Sequence, residues 1–206
     1  MPIPSVGTHR HNSYMATPLF DERKTAQAAA YLLHRAGGAL ELLKLMKLMY
    51  LAERTSLARF GEPITGDALF AMPHGPVLST TLDFANGFEK SSKDGWDLWM
   101  ADRAGRQISL RDPSALKSPE HDLLQLSASD IDVLADVWSE FGHLSAWQLR
   151  QYTHDHLPEW QDPDGGHIPI SYKDLFQALG FEPAQVEAMT GHLRDQEKII
   201  SALAAH

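Results

Sequence analysis

The chain has 206 residues, with 18 lysines and arginines against 27 aspartates and glutamates, a formal charge of -9 and no cysteine. The acidic balance excludes a generically basic nucleic-acid binder, and the missing thiols exclude disulfide scaffolds, thiolate zinc sites, iron–sulfur clusters and cysteine nucleophiles. With 43% apolar and 22% charged residues, the composition is that of a globular domain able to build its own core.

Residues 1–20 contain Pro2, Pro4, Gly7, Asn12 and Pro18 and lack the apolar run of a secretory signal. They read as an unstructured leader, within which Met15 resembles a natural start. No stretch approaches the ~18 consecutive apolar residues of a membrane span, so a cytoplasmic protein with no membrane partner is expected.

Helical periodicity then takes over. Residues 25–36 are rich in strong helix formers and stop at Gly37-Gly38. Across residues 41–60, Leu42, Leu45, Met46, Met49 and Glu53 follow i, i+3, i+4, i+7 spacing, and Leu43, Tyr50, Leu57 and Phe60 widen the apolar face before Gly61. Lys44, Lys47 and Arg54 share one narrow edge of this helix. Such an edge either meets phosphates or an acidic partner, or is the solvated margin of a buried helix, and the second is preferred.

Glu62-Pro63 and Thr65-Gly66-Asp67 are turn chemistry, and Leu69-Phe70-Ala71-Met72 is a run of strand length closed by Pro73 and Gly75-Pro76. A helix is predicted over 77–88, then strands over 96–100 and 107–110 around a hairpin loop with Gly105 near its end. Helix, helix, strand, helix, hairpin is a winged-helix-like order. The reader helix of such a fold would be 77–88, yet it carries Asp83 and no Lys or Arg, so direct nucleic-acid binding is not expected.

Residues 112–126 read as a linker. Beyond them, Ser129 to Asp132 and Ser145 to Gln148 fit the capping-box pattern and start two helices. In the first, Ile131, Leu134, Trp138 and Phe141 form the core face, and Asp132, Asp136 and Glu140 form an acidic stripe opposite. Ser171 to Asp174 starts a short helix. A last helix runs from Pro183 to about Ala205, with Val186, Met189, Leu193, Ile200 and Leu203 spaced for one packing seam.

The expected fold is therefore mainly α (α+β): a helical domain with a small sheet or hairpin in its N-terminal half, packed on a C-terminal helical layer. Its expected organisation is a leader over 1–20, one domain over 21–181 made of 21–111 and 127–181, and a C-terminal helix over 182–206. Charge divides along the same line. Residues 1–60 hold 8 basic and 4 acidic groups, whereas residues 112–206 hold 5 and 16.

Catalytic signatures are missing from the sequence: no phosphate-binding Gly-rich loop, no GxGxxG, no GxSxG and no HExxH. His143, His154, Asp155 and His156 offer imidazole and carboxylate groups, but their spacing matches no structural zinc site. No metal, cofactor or enzymatic activity is expected. A hydrolase using His154 or His74 as a base would need a nucleophile or water site of suitable geometry.

Two segments are more specific. KLMKLMYLAERTSLARFGEPITGDALFAMPHGPVLSTTLD, from Lys44 to Asp83, resembles the signature of the Panacea domain, the SocA-like antitoxin family of bacteria and phages. Its features are a KLxKLLY helix, a P-[IL]-TGD turn and an aromatic-bearing strand leading into GPV. LSAWQLRQYTHDHLPEW, from Leu144, resembles that family's second motif, a Ser-initiated helix ending in Thr-His and followed by Pro and Trp. The resemblance runs from about Thr25 to Phe181, and it departs where Glu159 separates Pro158 from Trp160.

The resemblance implies a non-enzymatic antitoxin whose partner is a cognate toxin encoded in an adjacent gene, with delivery of that toxin to a cellular protease as a second mode. A winged-helix regulator of its own operon is the alternative from topology. Motif residues that could contact the toxin are Lys44, Lys47, Tyr50, Asp67, His74, Thr153, His154 and Trp160. Gly66, Gly75, Pro76 and Val77 read as structural, with glycines in tight turns, Pro76 opening the 77–88 helix and Asp67 accepting its first amides. Trp96, Trp99, Trp147 and Trp160 are candidate exposed anchors, and the acidic C-terminal half is expected to hold part of the partner.

Overall fold

The computed structural model describes residues 17–205; the first sixteen positions, and with them most of the expected leader and Met15, lie outside the described residues. In chain order the elements are α1 (Glu22–Arg35), β1 (Ala39–Glu41), α2 (Leu42–Phe60), β2 (Leu69–Met72), β3 (Gly75–Leu78), α3 (Ser79–Asn86), α4 (Trp96–Trp99) and β4 (Gln107–Ser109). Then come α5 (Pro119–Asp122), α6 (Ala128–Phe141), α7 (Ala146–His156), β5 (Ile168–Ile170), α8 (Tyr172–Ala178) and α9 (Pro183–Ala204). The protein is mainly α, as its periodicity predicts.

α2 is the axis of the molecule. It packs on α1, α6, α7, α8 and the β2–β3 hairpin, and Leu45, Met46, Leu48, Met49, Tyr50 and Leu57 are almost fully buried. Each such side chain contributes ~1.5–3 kcal/mol of hydrophobic stabilisation relative to exposure. Polar cross-ties fix its neighbours: Lys24 of α1 pairs with Asp130 of α6 at 2.9 Å, and Arg59 of α2 with Asp136 of α6 at 2.7 Å.

Two small antiparallel sheets flank this axis, a β1–β4 pair and a three-stranded sheet in the order β3-β2-β5. Three expectations change here. Residues 75–78 are strand, not the start of a helix. Pro73-His74 makes a two-residue turn, Gly75 adopts φ 93°, and Met72 pairs with Gly75 through to Leu69 with Leu78. Pro76 and Val77 therefore belong to β3, and Pro76 is tolerated because β3 is an edge strand. The helix starts only at Ser79.

Residues 96–100 form one helical turn rather than a strand. The Glu22 carboxylate of α1 accepts the Trp96 amide at 2.9 Å, and only Met100 bridges to Leu110. β4 finds its partner in β1 instead, a strand hidden in the sequence between Gly38 and the apolar run of α2. The third strand, β5, joins β2 from the C-terminal half, with Ile170 opposite Leu69. Its Ile-Pro-Ile sequence escapes a strand pattern because proline cannot donate to a ladder.

The linker over 112–126 is structured, with a 3-10 turn at Pro113–Ala115, the short α5, and Leu116 and Leu123 buried in the core. α6 begins two residues earlier than expected. Ser127, not Ser129, accepts the Asp130 amide at 3.2 Å, and Asp130 takes the Ser127 amide at 2.8 Å. The α7 capping box forms as predicted between Ser145 and Gln148. On α9 the seam is only half used: Val186 and Leu193 are buried, while Ile200 and Leu203 are exposed.

The capping register can be checked directly. In urea unfolding, Ser127→Ala lowers stability by about 1 kcal/mol, the usual cost of a lost N-cap, and Ser129→Ala leaves it within experimental error. Equal losses for the two variants would reject the register.

Candidate functional site

The two motif segments meet around the β2–β3 hairpin. α2 brings Lys47, Tyr50, Glu53 and Arg54 to one side of it, and the end of α7 with the following turn brings Thr153, His154, Glu159 and Trp160 to the other. The cationic edge of α2 is not a solvated margin. Lys47 is fully buried and its Nζ donates to the Pro76 carbonyl at 2.6 Å. Arg54 Nε donates to Glu159 Oε1 at 2.8 Å, and Lys44 Nζ donates to the Gly142 carbonyl at 2.7 Å while lying over the Trp138 ring.

Gly75 shows why this junction tolerates no side chain. A Cβ there would stand 2.6 Å from Thr153 Oγ1 and 3.1 Å from Lys47 Nζ. Trp160 Nε1 donates to the Met72 carbonyl at 3.0 Å, and the Trp160 ring stacks on His154 with centroids 3.7 Å apart. The hairpin is thus clamped from α2 by an amine and from the α7 side by an indole.

A second cluster organises the TGD turn. Glu53, buried inside the protein, accepts from the amides of Ile64, Thr65 and Gly66 and from the Thr65 hydroxyl, at 2.9–3.0 Å. Asp67 accepts the amides of Ala68, Thr80 and Thr81 and the Thr81 hydroxyl at 2.7–2.9 Å, so it caps the first turn of α3. Gly66, at φ 67°, lies against the backbone of Leu19, where a Cβ would collide.

Sequence periodicity misses Glu53, because it occupies an apolar position of α2. Its signal is the conflict itself: a carboxylate on the buried face of a helix requires donors, and the following turn carries unpaired amides. Glu159 is the second omission. The residue that interrupts the family pattern is buried, and its Oε1 also accepts the Tyr50 hydroxyl at 3.2 Å.

Burial sets the protonation of these groups. It lowers Lys47 from the ordinary lysine value to about 7, with Arg150 adding repulsion, and it raises Glu53 to about 7 against the pull of the turn amides. Asp67 is raised by burial, and Tyr50 is raised by burial and by Glu159. Burial, then Arg150 and Lys47, hold His154 below the usual imidazole range.

Of the residues singled out by sequence, Lys47, Gly75, Pro76, Thr153, His154 and Trp160 converge, and Tyr50 joins them through Glu159. Asp67, Gly66 and Lys44 work at separate joints. His74 stands exposed at the hairpin tip, and Val77 pairs with Phe70 inside the sheet. His143, His154, Asp155 and His156 do not gather. His156 stacks on Tyr152, Asp155 accepts from Gln151, and among the described residues no three His, Asp or Glu side chains are placed to hold a metal ion. Most polar groups of the junction are engaged with carbonyls, amides and one another, an arrangement that fixes backbone geometry, while His154 Nε2 and Glu159 Oε2 are buried without a hydrogen-bond partner.

Residues 45–161 match the family model described as antitoxin SocA-like, Panacea domain. The chain belongs to this family. The Panacea match begins inside α2 and ends just after Trp160, so it takes in both motif segments except Lys44, and the junction that they build. Comparisons with curated proteins and with solved structures gave no match. No helix among the described residues is long and apolar enough to cross a membrane.

Two variants test the junction. Gly75→Ala lowers stability by about 2–3 kcal/mol in urea unfolding, because it combines a left-handed backbone with a collision against Thr153. A loss below that of an exposed glycine such as Gly105→Ala would reject the packing argument. For Lys47 the sign follows from proton counts. Its folded value is about 7, below the ordinary lysine value of 10.5, so between these the unfolded chain binds more protons and stability rises with pH. Between pH 7 and pH 9 the wild type gains about 2 kcal/mol more than Lys47→Met, measured as paired urea curves.

Proposed function

We propose that this Panacea protein is an antitoxin that neutralises a cognate toxin by direct protein–protein binding, without catalysis. The toxin would be encoded in an adjacent gene of a bacterial or prophage-borne system and met in the cytoplasm. Family membership across residues 45–161 carries the reading. The geometry supports it in two ways. The family motifs are spent on holding the β2–β3 hairpin against α2 and α7, which leaves recognition to surfaces around that frame. The would-be reader helix α3 has Ser79, Thr80, Thr81 and Ala85 buried and carries no basic residue, which disfavours an operon regulator.

Co-expression with each neighbouring small open reading frame tests the proposal. One neighbour arrests growth by itself, and the antitoxin restores growth and co-purifies with it. Persistence of rescue in a strain without ATP-dependent proteases means blocking, and loss of rescue there means delivery to proteolysis. Failure to rescue growth against every neighbour overturns the antitoxin reading.

A further inference from the structure

A cleft of 780 Å³ lies between the start of α2, the tip of the β2–β3 hairpin, the loop before β4 and the start of α7, outside the junction described above. Its apolar lining includes Leu43, Met46, Met72 and Leu82. One wall is Trp147, which is 63% exposed and is covered on one face by the Arg150 guanidinium 4.6 Å from the ring centroid. Trp96 is buried, and Trp99 and Trp160 are half-buried. Of the four tryptophans expected to anchor a partner, Trp147 alone is widely open.

The charge of the cleft runs against that of the chain. Its exposed charged lining is Arg103 and Arg106, against a single acid, Glu41. Arg103 donates to the neutral Asn86 side chain, and among the described residues neither Arg103 nor Arg106 makes an ion pair with a carboxylate. In a protein of charge -9, two exposed guanidiniums without acidic partners share this cleft with an exposed indole, so the charge around its apolar trough is net positive. Arg favours planar carboxylate partners, and a central aromatic beside it is the usual anchor of an interface. The volume lies within the ~300–1,000 Å³ of concave ligand sites, which suits the side chains of a short segment better than a whole domain face.

We infer that this cleft is where the toxin docks, through a short segment of alternating acidic and apolar side chains whose carboxylates meet Arg103 and Arg106 and whose apolar residues pack against Trp147. The inference rests on the antitoxin reading, and it reverses the expected sign of the contact: the basic cleft, rather than the acidic stripe of α6, makes it. That stripe is partly committed already, since Asp136 is paired with Arg59. The hairpin clamp gives the cleft its shape, because Lys47, Gly75 and Trp160 hold the strand pair that forms one of its walls.

The test uses the full-length protein and three exposed-surface variants: Trp147→Ala, Arg103→Glu with Arg106→Glu, and, as control, Asp132→Lys with Glu140→Lys. Thermal melts confirm that each is folded. In fluorescence anisotropy, a short labelled peptide alternating glutamate and leucine binds the wild type and the α6 control alike. Each cleft variant loses about tenfold or more in affinity, and binding weakens as salt rises. A counterpart with lysine for glutamate does not bind. Equal affinity for all variants, or no binding of the acidic peptide, overturns the inference.

Growth rescue separates this inference from the antitoxin reading. A toxin that the wild type neutralises and both cleft variants neutralise equally well overturns the cleft and leaves the antitoxin standing. If no neighbour is neutralised even by the wild type, the antitoxin reading falls and takes the toxin assignment with it. A dimer in sedimentation velocity that the arginine reversals dissociate would give the cleft to a second copy of the chain and overturn its assignment to the toxin.

Discussion

A polar side chain withdrawn from water must find its partner inside the protein, and α2 carries several of them into or beside the core. Lys44, Lys47, Tyr50, Glu53 and Arg54 are met by a loop carbonyl, a strand carbonyl, a buried carboxylate, three turn amides and that same carboxylate. Leaving a buried group unpaired costs ~1–3 kcal/mol, and more when it is charged. Each polar residue of α2 therefore dictates where one segment of remote sequence must lie. The helix acts as a template, and the hairpin, the TGD turn, the α6–α7 connection and the turn after α7 are placed by it.

This template explains why the family motifs contain the residue types they do. A lysine amine reaches a strand carbonyl behind a glycine because nothing larger leaves room for it. An aspartate follows the turn because the first amides of α3 need an acceptor. Glu159 fits the same logic from the other direction. An acid placed between Pro158 and Trp160 would be a costly burial, yet Tyr50 and Arg54 already stand opposite it with donors to give.

The sequence was most legible where one local rule acts by itself. The period of α2, the Ser145 capping box, the turn at Gly66 and the role of Asp67 at the start of α3 follow from neighbours a few residues apart. It was least legible where a distant contact overrules the local pattern. Gly75-Pro76 reads as a stop until the Pro73-His74 turn folds residues 75–78 back onto β2. Residues 96–100 read as a strand until the Glu22 carboxylate arrives from α1. Ile168 to Ile170 become a strand because β2 offers an open edge. The burial of Lys47 and the partial burial of Trp160 were hidden for the same reason, since their partners lie far away in the chain.

Both outer strands of the β3-β2-β5 sheet carry a proline, Pro76 on one edge and Pro169 on the other. Pro76 is the more complete block: it has no N–H, and its carbonyl is already taken by Lys47. An exposed strand edge is normally a template on which a foreign chain can extend the ladder. Here neither margin presents an uninterrupted row of donors and acceptors. Any protein that grips this face must do so by the shape and charge of its side chains, and misfolded copies cannot readily zip together along it.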